Sequence, residues 1–134
     1  MIKPGCTFCF EREILEEDVL QFARLTGDFN PVHMDDNFAK ILPHKKRIVH
    51  GMLVAAFTSR LIGMEISGPG VIWTEQTFKF ISPALIGERL SFLVEILQVS
   101  QATKSVRIKV HVQNKNKQTV IVGEGSVLLR YAKD

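Results

Sequence analysis

Residues 50–66 (HGMLVAAFTSRLIGMEI) form the most apolar run of the chain. Their number suits a helix of about four turns. Met52, Leu53, Val54, Ala55, Ala56, Phe57, Leu61, Ile62 and Met64 surround such a helix on nearly every side, and a helix apolar all round has to be buried. Ser67-Gly68-Pro69-Gly70 then breaks the chain. From there the apolar period is two. Residues 71–81 alternate in part, 88–99 clearly, and 104–113 best, with Val106, Ile108, Val110 and Val112 on one face and Arg107, Lys109 and His111 on the other. Asn114-Lys115-Asn116-Lys117 is a turn, and 119–131 is the last strand, with Gly123 and Gly125 as bends. An antiparallel sheet buries one face, and the long helix is the element available to cover it. The expected fold is α+β, a single domain over residues 1–134, with an antiparallel sheet wrapped around a long central helix.

The first half supplies one more strand and the connections. Residues 7–14 are rich in strand formers. Residues 16–26 have helical spacing, with Val19, Phe22, Ala23 and Leu25 expected on one face. Glu16, Glu17 and Asp18 sit in the first turn, where the helix dipole favours acids, and Gly27 is the expected stop. Residues 28–33 (DFNPVH) form a loop, because Pro31 keeps Asn30 out of helical geometry. A short helix over 35–41 and a basic loop over 43–47 follow.

A length of 134 residues is one ordinary domain, and it needs neither metal nor disulfide to fold. Apolar residues at 46% with 23% charged exclude a disordered chain. A net charge of +3 is too small to propose nucleic acid as a partner. The charge is unevenly placed, however. Residues 11–36 carry eight acids against two bases, whereas 40–60 carry five bases (Lys40, Lys45, Lys46, Arg47, Arg60) and no acid. That is either a solvated surface or a cationic rim for an anionic ligand. No apolar stretch approaches a membrane span, and the first ten residues lack the apolar core of a signal peptide. Cys6 and Cys9 are the only cysteines, which makes no disulfide framework and suits a reducing compartment. The expected location is the cytoplasm, or an organelle matrix after removal of a presequence.

Four histidines are candidates for chemistry. His111 falls on the polar face of a strand and His44 among lysines, so both are expected at the surface. His33 shares a loop with Asp28 and Asn30. A bent loop can bring carboxylate and imidazole to one site, and the two together form a general acid/base kit. The alternative is a structural hydrogen bond within the loop. His50-Gly51 lies where the buried helix starts, with unpaired amides and positive potential. A glycine there lets a carbonyl oxygen approach the backbone, unless it is an ordinary helix start. Ser59 can bond back to the helix backbone. Asp28, His33, Asp35 and His50 match no metal-site spacing, and a lone Cys6-x-x-Cys9 in a strand is poor ground for zinc or redox work.

Phe22-Ala23-Arg24-Leu25-Thr26-Gly27-Asp28-Phe29-Asn30-Pro31-Val32-His33 resembles the hydratase motif of the MaoC-like dehydratases, the (R)-specific enoyl-CoA hydratase family. Ile48-Val49-His50-Gly51-Met52-Leu53 is similar to its next block, and Gly68-Pro69-Gly70, Phe78-Lys79-Phe80, Pro83 and Gly87-Glu88 to its later strands. The resemblance covers residues 8–131. It implies the hot-dog fold and reversible addition of water to a trans-2-enoyl thioester, giving the (R)-3-hydroxyacyl thioester. It implies Asp28 and His33 as the catalytic pair, Asn30 and His50 in support, the Gly51 amide at the thioester carbonyl, and Ser59 near the pair. No metal or redox cofactor is implied, since coenzyme A or phosphopantetheine enters with the substrate. A homodimer is the implied unit, because one such unit leaves a sheet edge and one side of its acyl tunnel open. Two features depart from the family pattern. The first helix opens on Leu15-Glu16-Glu17-Asp18, where a Ser or Thr cap is usual. Lys45, Lys46 and Arg47 make an unusually basic loop, either solvated or facing the phosphates of coenzyme A or an acidic acyl carrier protein. A hot-dog acyl-CoA thioesterase and a non-catalytic acyl-thioester-binding subunit are the competing functions.

Overall fold

The structure is a computed structural model that describes residues 2–66 and 68–129. Six strands make one antiparallel sheet: β1 (Thr7–Glu13), β2 (Ile72–Gln76), β3 (Lys79–Phe80), β4 (Arg89–Ser100), β5 (Ser105–Asn114) and β6 (Thr119–Leu128). The order across the sheet is β1-β4-β5-β6-β2, with β3 also on β6. The long helix α4 (Gly51–Met64) packs against this sheet at β4, β1 and β2. The hot-dog architecture expected from the sequence is therefore present.

The alternating pattern decides which face is wrapped. Val106, Ile108, Val110 and Val112 of β5 are buried, as are Leu90, Phe92, Val94 and Ile96 of β4. Leu53, Val54, Ala55, Thr58, Leu61 and Ile62 of α4 join them in one core. Phe10 stacks on Phe92 with centroids 4.8 Å apart, and Phe57 meets the same ring edge-on at 5.8 Å. Burying a side chain of that size is worth about 2–3 kcal/mol.

Several boundaries differ from those the pattern predicted. The strand expected over 71–81 is two strands, β2 and β3, parted at Thr77 and Phe78; β3 keeps the register of the end of β2 on β6, with Gln76 opposite Gly125 and Lys79 opposite Val122. β6 continues through Gly123 and Gly125, both paired with β5. A Cβ at Gly123 would stand 1.8 Å from the Thr77 carbonyl oxygen, so the missing side chain makes room for the crossing chain. The expected end of that strand, residues 130–131, and Ser67 of the break lie outside the described residues.

The helices carry corrections too. α1 (Glu16–Thr26) buries Val19 and Ala23, but Leu25 is 84% exposed, since two residues past Ala23 is the opposite side of the helix. Its unusual start has a substitute cap: the Asp18 carboxylate accepts from the Leu15 amide, and Arg12 pairs with the same carboxylate. The loop over 28–33 contains a one-turn helix, α2 (Pro31–Met34), with Pro31 in its first position, where no amide is needed. α3 (Asp36–Ala39) follows, capped by the Asp35 carboxylate. Nor is α4 buried all round. Met52, Ala56, Ser59, Gly63 and Met64 make an exposed stripe along it, with Met52 55% and Met64 76% exposed.

Candidate active site

A cavity of about 490 Å³ opens between the start of α4, the end of α1 and the β3 region. Phe22, Val54, Ile81, Val120 and Ile121 make it mostly apolar, while Asp28, His33, His50 and Gly51 stand together at its polar end. Residues 22 apart in the chain thus meet because α1 and α4 end against each other.

The geometry at Asp28 and His33 follows from local hydrogen bonds. Thr26 accepts from the Asp28 amide, and Asp28 Oδ1 accepts from the Asn30 amide at 3.2 Å. Asn30 Oδ1 accepts from the Val32 amide and caps α2, so Asn30 does support the loop, as its motif position implies. Asp28 Oδ2 is left facing His33 Nε2 at 3.9 Å. That is too long for a direct hydrogen bond and short enough for one water oxygen to bond both. His33 is 9% exposed, and its Nδ1 lies 2.8 Å from the Ile48 carbonyl oxygen. A carbonyl can only accept, so Nδ1 carries a hydrogen, and whenever the ring is neutral it is Nε2 that offers a lone pair toward Asp28.

His50 is 2% exposed and stacks on His33 with centroids 3.9 Å apart. Its Nε2 donates to the Asp28 carbonyl oxygen at 3.0 Å, which ties the helix start to the catalytic loop. Its Nδ1 is buried without a partner among the described residues. Burial holds this imidazole below the usual histidine range, against the Asp28 carbonyl, and the neighbouring His33 adds to the lowering. The sign of the linkage follows. A depressed native value means stability is full above about 6.5, the ordinary value, and is lost as pH falls through the native one. Urea unfolding between pH 7 and pH 5 should therefore lose less stability in His50→Gln than in the native chain. Equal losses would show that His50 is not held neutral. His111, also lowered by burial and then by Lys109, is present in both proteins and cancels.

Gly51 opens α4, and neither its amide nor that of Met52 donates to a protein acceptor among the described residues. These amides carry the positive end of a fourteen-residue helix. The Phe80 ring lies so close that a Cβ on Gly51 would meet it at 2.8 Å. Any larger residue here would have to push the Phe80 ring aside.

Three expectations change here. Ser59 is exposed, two turns along α4 from Gly51, and does not line the cavity; the helix period puts it on the exposed stripe. The hydroxyl that bonds back to the helix is Thr58, to the Ala55 carbonyl. Arg47 is not free for a phosphate: it pairs with Glu16 and Asp36 and donates to the His33 carbonyl. Burial alone would lower its pKa, but the two carboxylates outweigh that and raise it. Lys45 and Lys46 do face a recess, which Lys40 and Asp36 share. Phe80 and Ser82 line the cavity although the spacing singled out neither for chemistry; Phe80 stood only inside the late-strand motif. Asp28, His33 and His50 place donor atoms within 4.8 Å of one another. The hydrogen on His50 Nε2 leaves Nδ1 as the one nitrogen of that ring with a lone pair, and Asp35 is engaged in capping α3.

The MaoC like domain family matches residues 3–120. The (R)-specific enoyl-CoA hydratase of Rhodospirillum rubrum is 34% identical over 128 residues, covering 96% of this chain and 88% of that protein. The 3-hydroxybutyryl-CoA dehydratase of Methylorubrum extorquens is 34% identical over 107 residues, 80% of this chain and 68% of that protein. The unliganded R-hydratase of Pseudomonas aeruginosa superposes with a TM-score of 0.91 at 32% identity, covering 99% of this chain and 84% of that one. With this match over most of its length, on a hot-dog fold that sets Asp28 against His33, the chain belongs to the MaoC-like dehydratase family.

Proposed function

We propose that the cavity binds a trans-2-enoyl thioester and adds water across its double bond, reversibly, to give the (R)-3-hydroxyacyl thioester. The chain is a hydro-lyase, and one observation carries the site assignment: a carboxylate and an imidazole lone pair 3.9 Å apart at the polar end of an apolar cavity, beside unpaired helix amides. Asp28 and His33 hold one water between them. The water oxygen bonds to C3 as its proton passes to the pair, and C2 takes a proton from the pair. Charge developing on the thioester oxygen meets the Gly51 amide. No step calls for a metal or redox group, and coenzyme A or phosphopantetheine is part of the substrate.

The working unit is a homodimer. The exposed stripe of α4 and the edge strand β2, with Ile72 46% exposed, leave apolar surface and an unpaired edge that a second copy covers. Ser59 would then face the partner. Lys45 and Lys46 suit the phosphates of coenzyme A or an acidic carrier protein, and the free thiols Cys6 and Cys9 suit a reducing compartment. No helix among the described residues is long and apolar enough to cross a membrane.

The test is purified protein with crotonyl-CoA, its mass measured by light scattering in the same buffer. Loss of enoyl absorbance without free thiol, from a particle of two 15.1 kDa chains, is the expected result. Thiol release would mean a thioesterase instead, and binding without turnover a non-catalytic thioester-binding subunit.

A further inference from the structure

We propose that Arg47 is a positioning residue that fixes the orientation of His33 by clasping three helices to the strand segment behind it. The proposal rests on the hydratase reading only for its kinetic consequence.

The guanidinium side chain is 12% exposed and its three nitrogens serve three elements. Nε donates to Asp36 Oδ1 at 2.8 Å, on the first residue of α3. Nη2 donates to Glu16, on the first residue of α1. Nη1 donates to the His33 carbonyl oxygen at 3.2 Å, within α2. The next residue completes the clasp. The Ile48 amide donates to the Val32 carbonyl at 3.0 Å, and the Ile48 carbonyl accepts from His33 Nδ1 at 2.8 Å. Arg47 and Ile48 thus hold Val32 and His33 at three points, and one of those points sets the tautomer of the imidazole.

Two arguments make this positioning rather than general stability. α2 and α3 have four residues each, far below the length at which a helix holds its own shape, so their placement must come from outside. Meanwhile Glu16 and Asp36 are 62% and 86% exposed at their side chains. Pairs with such solvated carboxylates add little to global stability. What they do is lock a rigid planar fork beside the His33 carbonyl, and a lysine ammonium, whose three donors share one nitrogen, cannot reach acceptors spaced that far apart.

The test is Arg47→Met with histidine-¹⁵N labelling. Long-range ¹H–¹⁵N spectra should show His33 as the Nδ1–H tautomer in the native protein and a tautomer mixture in the variant, with the thermal midpoint nearly unchanged. For crotonyl-CoA, kcat should fall about 10- to 100-fold with KM within about twofold, as expected for a catalytic group slightly misplaced. Arg47→Lys should recover part of both. A folded Arg47→Met with native tautomer and native kcat overturns the proposal. So does a rise in KM alone, which would return Arg47 to contact with substrate phosphate. If Arg47→Met does not fold, the surface pair Glu16→Ala with Asp36→Ala removes both acceptors that hold the guanidinium and must give the same tautomer mixture. If the native protein hydrates nothing, the hydratase reading fails, and the tautomer spectra still decide the role of Arg47.

Discussion

Asp28→Asn should lower kcat for hydration by about 10²- to 10⁴-fold, the usual worth of a positioned acid or base. The variant keeps the shape of the side chain and the oxygen that accepts from the Asn30 amide, but not the charge facing His33. Its fold should be nearly unaffected, because the carboxylate is half exposed and makes no buried ion pair. His33→Ala should cost as much in rate. It should also cost about 1–3 kcal/mol in stability, since the Ile48 carbonyl loses its donor. The double variant should be little worse than either alone, because two groups that share one water act as a unit. Both single variants turning over at near-native rates, while folded, would place the chemistry elsewhere.

Removing the Gly51 amide should be the other large effect. Proline at the first position of a helix keeps the backbone path and deletes the N–H. His50, at ψ 127, is already out of the helical region that a following proline forbids. The obstacle is Phe80, which any Cβ at residue 51 would meet at 2.8 Å. The comparison is therefore between Phe80→Ala and Phe80→Ala with Gly51→Pro. The second should turn over about 10²- to 10³-fold more slowly than the first, as when one oxyanion donor is lost elsewhere. Similar rates for the two would show that the helix start does not stabilise the thioester oxygen.

Much of this was legible in the chain, for identifiable reasons. The alternation of Val106, Ile108, Val110 and Val112 states which face of β5 is wrapped, and all four are buried. Asp28, Asn30 and His33 are close in sequence, and the Asp28–Asn30 and Asn30–Val32 hydrogen bonds are local, so the motif sets the path of the loop, while the orientation of the His33 ring comes from Ile48. Long-range arrangements were not legible. Arg47 and Glu16 are 31 residues apart, so a basic loop looked free until the fold brought an acid to it. Phe80 and Gly51 are 29 residues apart, and only the folding of β3 onto β6 beside the start of α4 brings the ring to the glycine. Ser59 sits in an apolar run whose composition suggests burial on all sides, whereas a helix at the open side of a sheet keeps one stripe exposed.

The central claim is that Asp28, His33 and the Gly51 amide add water to one face of an enoyl thioester. The most direct test is chiral analysis of the product formed from crotonyl-CoA by the native protein and by Asp28→Asn. The account predicts (R)-3-hydroxybutyryl-CoA from the native protein and almost none from the variant. A racemic or (S) product, or equal yields from both proteins, would contradict it.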